Sequence, residues 1–272
     1  MRTLLTGVLI IGAWVLLALA GLWLVRRRVP LTTLEAHHEV AGFIIGVLGA
    51  IYAVLLAFVV VVVWTDFEDA RQNVSREGNH LLNLSRMVEG FPAESRAAAH
   101  GALRAYALLV LEEEWEAMAR GEAGARSQAA MDSVWQTYRA VEPQTPRESA
   151  LYAESLDHLT ELSDARRLRL HASREGLPLI LKIILWGGGV MTVAFTYFFG
   201  VRNLRSQTLM TAALSAVIAF ILFLIVALDN PFAGSVRVSP APIREALEKI
   251  DAASPNRSSW RITSRPPTSR KT

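Results

Sequence analysis

The sequence predicts an all-α membrane protein: four transmembrane helices, with a helical-bundle domain inserted between the second and third spans. Three observations carry this reading. Of 272 residues, 52% are hydrophobic and 19% charged, too apolar for an ordinary soluble domain and too charged for a chain confined to the bilayer. The apolar residues concentrate in four blocks, Leu4 to Val25, Ala41 to Trp64, Leu179 to Gly200 and Thr208 to Leu228. Each is about the ~20 residues a helix needs to cross the hydrocarbon core. Elsewhere apolar positions recur at helical spacing and none alternate with period two, so no sheet is expected. These features exclude a secreted protein, a soluble enzyme filling the whole length and a disordered chain. The expected map is a transmembrane hairpin over 1–64, a helical domain over 65–177, a second hairpin over 178–228, and a turn with a basic tail over 229–272.

The first block ends in Arg26-Arg27-Arg28 and lacks a small-x-small cleavage site, so it reads as an uncleaved span rather than a signal peptide. Val201 to Gln207, joining the last two spans, contains Arg202 and Arg205. Counted over short loops, the positive-inside rule puts both linkers in the cytoplasm and residues 65–177 with both termini outside. Counting Arg71, Arg76, Arg166, Arg167, Arg169, Arg174, Arg237 and Arg244 as well argues the reverse. The short loops carry more weight, because long loops are translocated largely regardless of charge.

Along the second span Gly42, Gly46, Gly49, Ala53 and Ala57 form a small-residue stripe. It is read as a helix-packing surface, with a pore lining as the other reading. Thr208, Ala212, Ser215 and Ala219 repeat the pattern in the fourth span. Gly187-Gly188-Gly189 marks a hinge or a close crossing point. Lys182 is the one charge inside the spans and sits near an end, where it can snorkel. Without buried acids or arginines, the spans offer no coupled-ion site.

Past Trp64 the composition changes, yet no Gly or Pro interrupts the helix before Gly78. Thr65 and Glu68 have capping-box spacing. Phe67, Val74, Leu81 and Val88 are spaced by seven, with Ala70, Leu84 and Phe91 alongside, which predicts an apolar helical face or coiled-coil seam. After Gly90-Phe91-Pro92 a helix is expected to about Arg120, with Leu103, Tyr106, Val110 and Met118 on its face. Another follows from Ala125 to Val141 with Met131, Val134, Trp135 and Tyr138. The last starts at Thr145-Pro146-Arg147-Glu148, with a threonine N-cap, proline in the first turn and glutamate three residues after the cap. It runs to Gly176 through Leu151, Tyr152, Leu159, Leu162 and Leu170.

Residues 65–177 hold 13 Arg, no Lys and 19 acids, 13 − 19 = −6, whereas the stretch from Asp229 holds 8 bases and 4 acids, 8 − 4 = +4. Its end, rich in Ser, Pro and Arg, is expected to be a solvated, disordered tail. One aromatic, Trp260, makes nucleic acid a poor partner. Zero Cys removes disulfides, thiolate metal sites and a cysteine nucleophile.

No phosphate loop, dinucleotide fingerprint, nucleophile elbow or HExxH is present, so neither an enzyme nor a cofactor is expected. Glu35, His37, His38 and Glu39 are adjacent residues of one short linker and do not converge on a metal. His80, His100, His158 and His171 read as isolated helix positions. Glu112-Glu113-Glu114 with Glu116 reads as a solvated face ahead of a cation site, and Arg166, Arg167 and Arg169 as partners of the acid-rich helices ahead of a site for anions or lipid phosphate.

Several segments read in order carry a resemblance: Tyr52 through Trp64, Asp69-Ala70-Arg71, Glu113-Glu114-Trp115, Ala165 through Arg169, and Leu228-Asp229-Asn230-Pro231-Phe232-Ala233-Gly234. Together they resemble the bacterial membrane family DUF4239, also described as bestrophin-like, over roughly residues 42 to 250. The last stretch is the most specific, with Asn230 where the family often has arginine. The positions matching the family's motifs are Trp64, Asp69, Arg71, Glu114, Trp115, Arg166, Arg167, Arg169, Asp229, Pro231, Phe232 and Gly234. The resemblance implies kinship with bestrophins, pentameric anion channels with four membrane helices and a cytosolic helical domain between the second and third. The expectation is therefore a multi-pass protein of the bacterial cytoplasmic membrane. It would contact lipid, form a homo-oligomer and conduct anions or another small solute. The alternative is a non-conducting scaffold or sensor whose helical domain binds a partner or ligand. Asp229 is expected to cap backbone amides in the turn imposed by Pro231 and Gly234.

Overall fold

The computed structural model describes residues 2–30, 38–199, 201, 203–234 and 236–253, with backbone alone for 2–6 and 38–41. The basic end beyond Ala253 and the linker acids and histidines before His38 lie outside the described residues, as does Arg202. Every regular element among the described residues is helical. They are α1 (Arg2–Arg28), α2 (His38–Met87), α3 (Ala93–Leu109), α4 (Trp115–Met118), α5 (Ala125–Arg139), α6 (Pro146–Arg174), α7 (Leu179–Phe195), α8 (Leu204–Leu228) and α9 (Ala241–Ala253). Four are long and apolar enough to cross a membrane, over Gly7–Arg28, Gly42–Gly90, Leu179–Phe198 and Leu204–Leu228.

The chain divides into two compact units, Met1–Arg71 with His171–Val238, and Gln72–Leu170 with Ser239–Thr272. In the first, α1 packs on α7 and α8, and α7 on α8. The core is Tyr52, Leu56, Val59 and Val63 of α2 against Leu185, Val193, Ile218, Leu222 and Ile225. The triple glycine is a crossing point: a Cβ on Gly188 would lie 2.6 Å from the Tyr52 ring, whereas one on Gly187 would meet nothing within 4 Å. Tyr52 donates its hydroxyl to the Leu185 carbonyl at 2.8 Å, satisfying a polar group in an apolar core. Ser215 and Ala219 of the α8 stripe are buried. At the linker end, Arg26 Nε donates to Gln207 Oε1 at 2.8 Å, and Gln207 Nε2 donates to the Phe199 carbonyl at 2.8 Å.

In the second unit, Val74, Leu81, Leu84 and Val88 are fully buried, so the seven-residue spacing marks a core face within the unit. Thr65 caps nothing: the helix continues, and its hydroxyl donates back to the Val61 carbonyl at 2.9 Å. Thr145 behaves as its motif predicts, accepting from the Glu148 amide at 3.2 Å while Glu148 accepts from the Gln144 amide at 2.7 Å. The helix after Pro92 carries a wide π turn over Val110–Glu114 before α4. A helix the tail's composition had hidden, α9, buries Ile243, Ala246, Leu247 and Ile250 and packs on α3. Its start crosses α2 at Gly78, where a Cβ would lie 2.7 Å from the Pro242 carbonyl oxygen. Arg104 of α3 holds Asp251 at 2.6 Å.

Candidate functional site

Two places in the molecule gather most of the residues singled out from the sequence, one in each unit. The first is the surface of α2. Residues 52, 56, 59 and 63 recur every three or four positions and turn one stripe of the span inward. On the opposite stripe Phe43, Val47, Val54, Phe58 and Val61 are all exposed. At about 100° per residue the small stripe falls on the flank between these two faces. A Cβ added to Gly46 or Gly49 would meet nothing within 4 Å, and one on Gly42 only Phe199 at 3.7 Å. Ala53 and Ala57 are exposed. Among the described residues no other helix approaches Gly46 or Gly49 closely, and that part of the stripe faces outward.

Asp229 ends α8, and its carboxylate reaches across the turn. Oδ1 accepts from the Leu177 amide at 2.6 Å and Oδ2 pairs with Lys182 Nζ at 2.8 Å. The amide it caps therefore belongs to the segment entering α7, not to the turn that follows, and Lys182 is paired rather than simply snorkelled. Pro231 and Phe232 are buried, the Val238 amide donates to the Pro231 carbonyl at 2.8 Å, and Gly234 takes φ +76°, a backbone state that favours glycine. The stretch thus works as a latch between the ends of α7 and α8. Trp64, Asp69 and Arg71 are exposed, and Arg71 pairs with Glu68 at 2.7 Å.

The second place is a buried charge network in the helical unit. Arg169 of α6, with no exposed side chain, donates from Nε to Glu77 Oε2 of α2 at 2.5 Å and from Nη2 to Glu114 Oε2 at 2.7 Å. Arg166, one turn earlier, donates from Nη2 to Glu114 Oε1 at 2.6 Å and from Nη1 to Gln128 Oε1 at 2.7 Å. Ser127 adds a hydroxyl to Glu114 at 2.7 Å, and Tyr106 one to Glu77 at 2.5 Å. Trp115 stands beside the Arg169 guanidinium, 5.7 Å from ring centroid to carbon. Two arginines face two carboxylates, so the cluster is neutral and its donors are satisfied. A buried ion pair persists only on those terms.

Burial alone raises the Glu114 carboxyl, but Arg169, then Arg166 and Ser127, outweigh it and hold its pKa below the ordinary 4.5. For Arg169, burial opposes the charge, and Glu77 and Glu114 overcome that and raise its pKa. Tyr106 is pushed well above 10.0 by burial and by Glu77. The arrangement fixes charge in place; it offers no exposed nucleophile or acid.

Of the sequence's candidates, Glu114, Trp115, Arg166 and Arg169 therefore converge. Arg167 does not: it is exposed and pairs with Asp164 at 3.1 Å. Glu114 is buried, against its reading as part of a solvated face, whereas Glu112 and Glu116 are exposed. The sequence reading missed Glu77, Tyr106, Ser127 and Gln128. Glu77 had left a signal, since it sits three residues after Val74 and four before Leu81, inside the apolar stripe. Among the described residues no group of three or more His, Asp or Glu side chains can hold a metal.

A family model described as Bestrophin-like domain matches residues 12–243, most of the chain. The chain belongs to the bestrophin-like family. The bestrophin-like chain is similar in fold to a crystal structure of a bacterial bestrophin homolog from Klebsiella pneumoniae, a point mutant, with TM-score 0.70 and 14% identity, covering 88% of this chain and 98% of that one. A second mutant of the Klebsiella homolog gives 0.63 and 15% over 93% and 96%. A crystal structure described as a membrane protein gives 0.65 and 13% over 91% and 96%. No curated protein matches the chain.

Proposed function

We propose that the protein is a homo-oligomeric channel of the bacterial cytoplasmic membrane that passes anions or another small solute along its symmetry axis. The observation that carries the reading is the α2 surface. One stripe is used inside the chain, while among the described residues the opposite apolar stripe is exposed and a Cβ on Gly46 or Gly49 of the small-residue flank would meet nothing within 4 Å. In a symmetric ring the flank of Gly46, Gly49, Ala53 and Ala57 would admit the neighbouring copy at close range. Phe43, Val47, Val54, Phe58 and Val61 would then line the constriction. An apolar constriction gates by wetting and dewetting, and dipoles or arginines at the mouth bias it toward anions. Family membership and the shared fold support this, since bestrophins are oligomeric anion channels.

The test is the purified protein in liposomes, with its oligomeric mass measured in detergent. The reading expects an oligomer and chloride flux above that of empty vesicles. A monomer with no flux contradicts it. A stoichiometric bound partner with no flux favours the scaffold or sensor instead.

A further inference from the structure

His80 and His158, read from the sequence as isolated, meet inside the helical unit. Their Nδ1 atoms lie 3.0 Å apart and their ring centroids 5.3 Å apart. Both rings are mostly covered. The outer nitrogens each point at an acid of α6: His80 Nε2 is 3.0 Å from Glu161 Oε2, and His158 Nε2 is 3.8 Å from Glu154 Oε1. Arg76 on α2 is the remaining charge acting on His80.

Counting hydrogens decides what the cluster holds. A neutral imidazole has one N–H and one bare nitrogen. If His80 gives its Nε2–H to Glu161, its Nδ1 is bare, and the 3.0 Å contact is a hydrogen bond only if His158 donates from Nδ1. Neutral His158 then turns a bare Nε2 toward the Glu154 carboxylate. One added proton on that nitrogen gives every ring nitrogen and both carboxylates a partner. A proton on His80 Nδ1 instead would set two N–H groups head to head and open the contact. Burial, with His158 and Arg76 adding to it, outweighs Glu161 and lowers the His80 pKa below 6.5, in the same direction.

We propose that His80 and His158 form a one-proton site: on acidification the pair binds a single proton, at Nε2 of His158, which strengthens the tie between α6 and α2 and excludes a second. The inference rests on the helical unit alone and holds whether or not the protein conducts.

The test is nitrogen NMR on the full chain, labelled with 15N-histidine and placed in lipid bilayers, between about pH 8 and about pH 5, the range imidazoles cross. The His80→Gln and His158→Gln variants assign the pair. One ring is expected to become imidazolium while the other stays neutral with a bare Nδ1. Glu154 is exposed, so Glu154→Gln leaves the fold intact, and removing the carboxylate that faces His158 Nε2 should weaken the imidazolium signal of the pair. Both rings becoming imidazolium over the same range, neither becoming so, or an imidazolium signal indifferent to Glu154→Gln would each overturn the proposal.

Discussion

Arg169 on α6 and Glu77 on α2 are joined by two hydrogen bonds, Nε to Oε2 at 2.5 Å and Nη2 to Oε1 at 3.0 Å, with neither side chain exposed. A guanidinium and a carboxylate removed from water in this way are held by each other, and losing one strands the other. Arg169→Met is expected to destabilise the helical unit by about 3–5 kcal/mol, because Glu77 and part of Glu114 become uncompensated buried charge. Thermal unfolding followed by circular dichroism in detergent measures it. Arg167→Met, at an exposed position, is the control and should leave stability within about 0.5 kcal/mol.

Glu114 gives the network a pH dependence of definite sign. Its folded pKa lies below the ordinary 4.5, so its stabilising effect is complete above that value and is lost as the pH falls through the lower, folded one. Unfolding midpoints of the wild type should therefore fall on acidification below about pH 4.5. In Glu114→Gln that acid limb should flatten from an already lowered neutral-pH plateau.

The triple glycine separates into tolerant and intolerant positions. A methyl on Gly188 meets the Tyr52 ring, and one on Gly187 meets nothing. Gly188→Ala should destabilise by about 1–3 kcal/mol through overpacking. Gly187→Ala should be neutral or slightly stabilising, since alanine is the better helix former. The two unfolding midpoints, measured side by side, check it.

At the latch, Asp229→Asn keeps an acceptor for the Leu177 amide but removes the charge opposite Lys182, and Asp229→Ala removes both. Stability is expected to fall in the order wild type, Asn, Ala, with the alanine variant losing about 1–3 kcal/mol for the unsatisfied buried amide. Equal losses would place the whole effect in the ion pair.

Sidedness is read by thiol labelling, because the chain has no cysteine. Ser127 is fully buried against Glu114, so exposed Ser133→Cys serves with Ser206→Cys. The short-loop charges predict that Ser206→Cys is labelled from the cytoplasm and Ser133→Cys from outside. Labelling of Ser133→Cys from the cytoplasm alone would reverse that orientation and bring it into line with bestrophins.

The helices and the four spans were legible because each rests on a signal that repeats along the chain: long apolar runs, the seven-spaced Val74, Leu81 and Val88, and the cap at Thr145. The network was half legible. Arg166, Arg169 and Glu114 stood in recognisable segments, but which acid met which arginine depends on contacts 92 and 55 residues apart, which no local period encodes. Glu114 was hidden by its charged neighbours, although it lies four residues after buried Val110. His80 and His158, separated by 78 residues, are neighbours only through packing. The α9 helix was hidden by the polar tail that follows it.

In the channel proposed above, the outward stripe of α2 lines a water-filled path. Val54→Cys, exposed on that stripe, and Leu17→Cys, 71% exposed on α1, can each be placed in the cysteine-free chain. In proteoliposomes showing chloride flux, a charged water-soluble thiol reagent should modify Val54→Cys and reduce the flux, and leave Leu17→Cys, buried in lipid, unmodified. Flux unchanged by the reagent, with Val54→Cys as unreactive as Leu17→Cys, would contradict a path along α2.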